Sequence, residues 1–377
     1  MKSFQRRLSI TMKSSKNLSI ILALIILGVV AIFVYPKIIS PKITANGLCK
    51  KTESCLYDLN ISKNGALELI YSDDGKYLLG RGLDGTRYWD TANKYKVKNL
   101  DKGTAIATAL DGRIAIATKN QEIKISNEAL EDVLEFSLKD KTTSTIKDMV
   151  FAPGFDIIVM PIPGEERGKP LLTFWSTRNG DFISKLTHIS AISSLKASAQ
   201  GIIAVGQFNG DVILWPLKDL TKDIKLAVST SSVSSMAFDK SGKLLATGSA
   251  NGEIKLWIAT SGQLIKDLAQ LGSMITGLAI SNNGKTLASS TADGQYKLWD
   301  IESGKIIDEW QYSRGINTIA LSPNGQELAI ALERNVTSGK KRIKNPKSYG
   351  PKWIEVESTN ISPAVILIRD LTKLDFN

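Results

Sequence analysis

A chain of 377 residues with 43% hydrophobic composition can bury a large core, as one big domain or as two or three ordinary ones. One histidine and two cysteines exclude the usual zinc sites, which draw on closely spaced sets of such ligands. The formal charge of +11 points to nucleic acid only until it is mapped. Residues 1–51 hold nine Lys or Arg and no acid, the block 334–352 holds seven and no acid, and the remainder sums to −5.

Residues 1–17 are a basic arm, with Lys2, Arg6, Arg7, Lys13 and Lys16. Leu18 to Tyr35 reads LSIILALIILGVVAIFVY, carries no charge and is bracketed by Lys16 and Lys37. That is about the length of a membrane-spanning helix, assigned to residues 18–36 and read as an uncleaved anchor because no small-residue cleavage site closes the run. More Lys and Arg lie before the span than after it. This predicts a cytoplasmic amino terminus and places the body in a periplasmic, extracytoplasmic or luminal compartment; a cytosolic body is the alternative. Residues 37–52 form a linker. Cys49 and Cys55 could close a small disulfide loop behind the anchor in an oxidising compartment, or remain two thiols.

From residue 53 onward the chain repeats with a period near 42. The pairs Asp74-Gly75, Asp111-Gly112, Pro153-Gly154, Gln200-Gly201, Ser241-Gly242, Asn283-Gly284 and Asn324-Gly325 are spaced 37, 42, 47, 41, 42 and 41, which makes seven units. Asp-Gly and Asn-Gly suit tight hairpin turns because both residue types tolerate positive φ. The clearest unit reads strand 234–238, strand 243–248, turn Asn251-Gly252, strand 253–257. Units this short must stack on one another to bury their apolar faces. A strand-ending position holds Trp89, Ser126, Trp175, Trp215, Trp257, Trp299 and Arg369 in turn. The five tryptophans are expected to pack between adjacent units. The small residues of LLATGS and TLASST place the second strand towards the axis of a radial array.

These residues resemble the WD40 repeat family. Trp89-Asp90 and Trp299-Asp300 match its closing Trp-Asp; Trp175, Trp215 and Trp257 keep the tryptophan, and Arg369-Asp370 keeps the aspartate. The Gly-His of the family is nearly absent, with His188 the one candidate and its glycine missing. The resemblance implies an all-β, seven-bladed WD40-type β-propeller over residues 53–377, preceded by one N-terminal transmembrane helix, and a protein-interaction role. The family closes its ring with a terminal strand, here residues 55–60, with 371–376 the rival.

Two units are stretched between their second and third strands, at 161–170 and 333–363. Both inserts are expected on one face, a common mark of a binding face in repeat proteins. In the longer one Lys340, Lys341, Arg342, Lys344, Lys347 and Lys352 lie with Tyr349 and Trp353, a candidate dock for an acidic partner. An anionic lipid surface fits the same charge, and nucleic acid fits it poorly outside the cytoplasm. His188, Glu165 and Glu166 have no recognisable catalytic partner, and no phosphate-cradling glycine loop or metal ladder occurs. The reading is no catalytic residue, no cofactor and no metal. It is a membrane-tethered scaffold that assembles or stabilises a protein complex, with the bilayer contacted through 18–36. The alternatives are an adaptor or chaperone-like factor for exported or trafficked proteins, and a quinoprotein-like or hydrolytic propeller enzyme.

Overall fold

The computed structural model describes residues 55–60, 66–138, 145–164, 169–187, 191–333, 335–344, 353–362 and 365–372. The arm, the apolar segment 18–36, the linker with Cys49, and His188, Glu165 and Glu166 lie outside them. Among the described residues no helix is long and apolar enough to cross a membrane.

Seven four-stranded antiparallel sheets stand in a ring. All seven first-turn glycines have left-handed backbones, with φ between 70° and 82° from Gly154 and its six equivalents, as the turn pairs require. Local side chains fix several of these turns: the Ser72, Ser281 and Ser322 hydroxyls accept the amides of Tyr77, Thr286 and Glu327 at 3.1, 3.0 and 2.8 Å. The expected strands sit within a residue or so of the observed ones, as in Val233–Phe238, Leu244–Ser249 and Glu253–Ile258.

Blades 1 to 6 each have a fourth, outer strand that the sequence pattern did not show. Lys96–Leu100 of blade 1 is typical: four of its five residues are exposed, so it carries no apolar period to read. The position of the second strand also differs from expectation. The first strand of each blade, not the second, lies innermost, where it contacts the first strands of the neighbouring blades all round the ring. Small residues in the second strand answer a different demand. A Cβ on Gly248 would meet Ile275 of the next blade at 2.6 Å, and one on Gly206 would meet Val233 at 2.8 Å.

The ring closes as the N-terminal strand predicts. Cys55–Asn60 forms the outer strand of blade 7, antiparallel to Val365–Asp370, with Tyr57 opposite Ile368 and Asn60 opposite Val365. Blade 7 is therefore sewn from both ends of the repeat region.

The five tryptophans are at most 7% exposed, and each packs against the preceding blade. Trp257 of blade 5 lies among Val212, Leu214 and Leu226 of blade 4. Trp299 of blade 6 lies against Ile254 and Leu256 of blade 5. Their indoles also donate to second-strand hydroxyls, Trp257 to Thr247 at 2.9 Å and Trp299 to Ser289 at 2.8 Å. The two substituted seams are filled differently. Beside Ser126, Tyr77 and Tyr88 of blade 1 stack at 4.9 Å, and Tyr77 joins Ile106 and Ile114 in the seam core. At the blade 6–7 seam the Arg369 guanidinium sits 5.2 Å from the Tyr296 ring and 5.9 Å from that of Trp310, and pairs with Asp308 at 2.9 Å. A cation fits a tryptophan's slot because aromatic faces and a carboxylate surround it.

Trp257→Ala removes a large buried side chain from a seam and is expected to cost about 3–5 kcal/mol in chemical denaturation. A loss below about 1 kcal/mol would contradict this packing.

Candidate partner-binding face

Strands alternate in direction across each blade, so the second-to-third turns and the links between blades open on one face of the ring. Both inserts leave from second-to-third turns, after Ile157–Ile162 in blade 3 and after Glu327–Leu332 in blade 7. The longer insert contains an antiparallel hairpin, Asn335–Lys344 with Trp353–Ser362. Lys340, Lys341, Arg342 and Lys344 lie on its outgoing strand, and Trp353 opens its return. Lys347, Tyr349 and Lys352 lie outside the described residues. The register sets Lys340 opposite Glu357 and Arg342 opposite Glu355. Pairing thus brings two acids to a cluster that is wholly basic when read linearly.

The same face carries exposed apolar side chains. Leu83 and Phe208, on second-to-third turns, are 66% and 61% exposed, and Met274, on a blade link, and Leu67, at the start of an inner strand, join them. Leu110 is the one large exposed apolar residue on a first turn of the opposite face among the described residues.

Between these groups the central channel opens into a polar cavity of about 240 Å³. The inner strands supply most of its wall, and every blade but blade 2 contributes residues. Charged groups from three blades meet there: Glu68 and Arg81 of blade 1, Lys147 and Asp148 of blade 3, and Lys196 of blade 4. Arg81 holds Glu68 at 3.1 Å. Asp148 accepts the Leu195 amide of the next blade at 3.1 Å. Loss of water around Asp148 pushes its carboxyl up to about 7, opposed by Lys196 and by the amides of Met149 and Leu195, and reinforced by Glu68. Hydroxyls complete the rim. Ser193 and Ser234 donate to the Val233 and Ile275 carbonyls of the following blades, both at 2.6 Å.

The opposite mouth, about 340 Å³, is crossed by an ion pair between Lys240 of blade 5 and Asp73 of blade 1 at 2.9 Å.

Comparison with known proteins agrees with this architecture. Residues 224–257 match the WD domain, G-beta repeat family, and residues 267–324 match the anaphase-promoting complex subunit 4 WD40 domain family. Over these two stretches the blades resemble WD40 repeats. The structure of U3-55K superposes with a TM-score of 0.65 at 13% identity, covering 84% of this chain and 98% of that one. The crystal structure of RRP9 WD40 repeats gives 0.64 at 13% identity, covering 84% and 97%. A chain of the mitotic checkpoint complex gives 0.63 at 17% identity, covering 75% and 91%. At these identities the likeness is one of fold. No curated protein matches the chain significantly in sequence.

The aspartates of the two Trp-Asp pairs do local work here. Asp300 accepts the Ser303 amide at 2.7 Å and Asp90 the Asn93 amide at 3.1 Å, closing the turn to the outer strand. The Ser303 hydroxyl, and after it the Ser303 amide, hold the Asp300 carboxyl below its usual range. For chemistry the channel mouth is more than a ring of Ser, Thr and Asn, since Glu68, Arg81 and Asp148 converge in it. Arg81 occupies Glu68, and backbone amides occupy Asp148. Among the described residues no three His, Cys, Asp or Glu are grouped to hold a metal. The sequence could not reveal this cluster, because its members come from positions 68 to 196 and only ring closure brings them together.

Asp148 makes stability pH-dependent with a defined sign. Between pH about 4 and about 7 the folded state keeps a proton that the unfolded chain has released, so raising pH through that window destabilises the fold. The stability of wild type relative to Asp148→Asn, measured by urea denaturation, is expected to fall from pH 4 to 7 and then level off. A difference independent of pH would contradict the assignment.

Proposed function

We propose that the chain is a membrane-tethered scaffold, whose WD40 propeller assembles or stabilises a protein complex through its insert-bearing face. The observation that carries this reading is the coincidence on one face of both inserts, the exposed Leu83, Phe208 and Met274, and the charged channel mouth. Exposed apolar residues beside polar groups are the usual composition of a protein-binding surface. Assembly fits what the similar proteins are: one matched family is a subunit of the anaphase-promoting complex, and one matched chain belongs to the mitotic checkpoint complex.

The tether in this proposal is the uncharged segment 18–36, with the amino terminus cytoplasmic and the propeller on the far side of the membrane. The partner is a membrane-associated protein with an acidic surface, met by Lys340, Lys341, Arg342 and Lys344. Glu355 and Glu357 lower the net charge of the hairpin, so its attraction is local rather than long-range.

Reversing Lys341, Arg342 and Lys344 to Glu in the full-length, detergent-solubilised protein is expected to reduce co-purification of the partner with the ring intact by circular dichroism. Unchanged co-purification would remove the hairpin from the interface. A C-terminal tag is expected to resist protease in sealed vesicles with the cytoplasmic side out. Cleavage there would reverse the topology.

A further inference from the structure

We propose that the channel mouth on the insert-bearing face binds an acidic side chain of a partner's peptide segment, with Lys196 as its cation and the Ser235 and Thr318 hydroxyls as its donors. This rests on the protein-binding reading of the same face and specifies what that face recognises at its centre.

Four observations carry it. First, the charges do not cancel. Arg81 is used by Glu68 at 3.1 Å, whereas Lys147 and Lys196 take no ion pair within 4.0 Å among the described residues. The cavity therefore holds one excess positive charge with Asp148 ionised and two with it protonated. Second, Ser194, Ser235 and Thr318 line the same cavity without a hydrogen-bond partner among the described residues, unlike Ser193 and Ser234, which are spent on neighbouring carbonyls. Unpaired cations with free hydroxyls in a concave polar site are the chemistry that holds a carboxylate. Third, a cavity of about 240 Å³ suits one side chain rather than a cofactor, for which pockets run from about 300 Å³ upward. Fourth, Lys196 lines both mouths of the channel, whereas Ser235 and Thr318 line only the cavity on the insert side, so a carboxylate that takes all three enters from that side.

Asp148 adds a control. It shares the wall with Lys196, and the charged groups facing it are Lys196 from blade 4, Glu68 with its partner Arg81 from blade 1, and Lys147 beside it in the chain; the inner strand of blade 2, Gly103–Thr108, brings none. An ionised Asp148 competes with an incoming carboxylate for Lys196. A protonated one does not. A glutamate on the ligand, with an ordinary pKa near 4.3, stays ionised at pH 6, so occupancy rises as pH falls from 8 to 6.

The test uses the full-length, detergent-solubilised protein carrying the Lys341→Glu, Arg342→Glu and Lys344→Glu reversals, which removes the hairpin as a competing basic site. A fluorescein-labelled hexaglutamate peptide is followed by anisotropy, with hexaglutamine and hexalysine as controls. Hexaglutamate alone is expected to bind, more tightly at pH 6 than at pH 8. Lys196→Gln is expected to weaken it at least tenfold, the scale of one charge-assisted hydrogen bond. Lys196→Arg keeps the cation and is expected to retain binding, which separates loss of the site from loss of the fold. Asp148→Asn is expected to abolish the pH dependence. A loss below tenfold in Lys196→Gln, preference for hexalysine, or no hexaglutamate binding would overturn the proposal. If the native partner still co-purifies with Lys196→Gln, the scaffold reading stands and the channel site falls.

Discussion

A four-stranded blade has two apolar faces and can bury neither alone, so everything in this propeller depends on the seams between blades. The chain meets that constraint with one recurring device, an indole at the end of the third strand that reaches back onto the preceding blade. In blades 5 and 6 the indole also satisfies its N–H on a hydroxyl of the adjacent strand, which fixes its orientation within an otherwise apolar seam. The ring is the outcome of repeating this contact until the last blade meets the first.

Blade 7 departs from the device because it has a second task. It must join the two ends of the repeat region, and it carries the long insert. Its seam with blade 6 uses Arg369, Asp308 and aromatic rings. Its seam with blade 1 keeps Trp89 and adds a polar chain in which the Tyr71 and Tyr95 hydroxyls meet at 2.9 Å and Tyr95 donates to Glu327. Directional contacts of this kind specify how the closing blade docks, where apolar contacts alone would tolerate slippage. The closing strand also starts at Cys55, so 18 residues of sequence separate it from the apolar segment 18–36.

Much of the fold was legible because each blade repeats the same local chemistry. The turn pairs from Asp74-Gly75 to Asn324-Gly325 mark the seven blades, and their glycines all take the left-handed conformation such pairs imply. The tryptophans gave the seams. Outer strands such as Lys96–Leu100 were invisible because one edge and most of both faces meet water, which leaves no alternation in sequence. The innermost strand was misplaced because small residues mark close approach, not the axis, as Gly248 against Ile275 shows. The channel cluster was hidden for a different reason. Glu68, Asp148 and Lys196 are unremarkable one at a time, and their shared electrostatics exists only after three blades converge.

The placement of the partner on the insert-bearing face is the central claim, and a footprint measures it most directly. Hydrogen–deuterium exchange of the full-length protein, with and without its co-purified partner, reads each turn of the ring separately. Protection is expected at residues 82–85, 207–210 and 271–274 and along the hairpin strands 335–344 and 353–362. Protection at the opposite turns, residues 109–112 and 239–242, or along the outer strands, with the insert-bearing face unchanged, would contradict it.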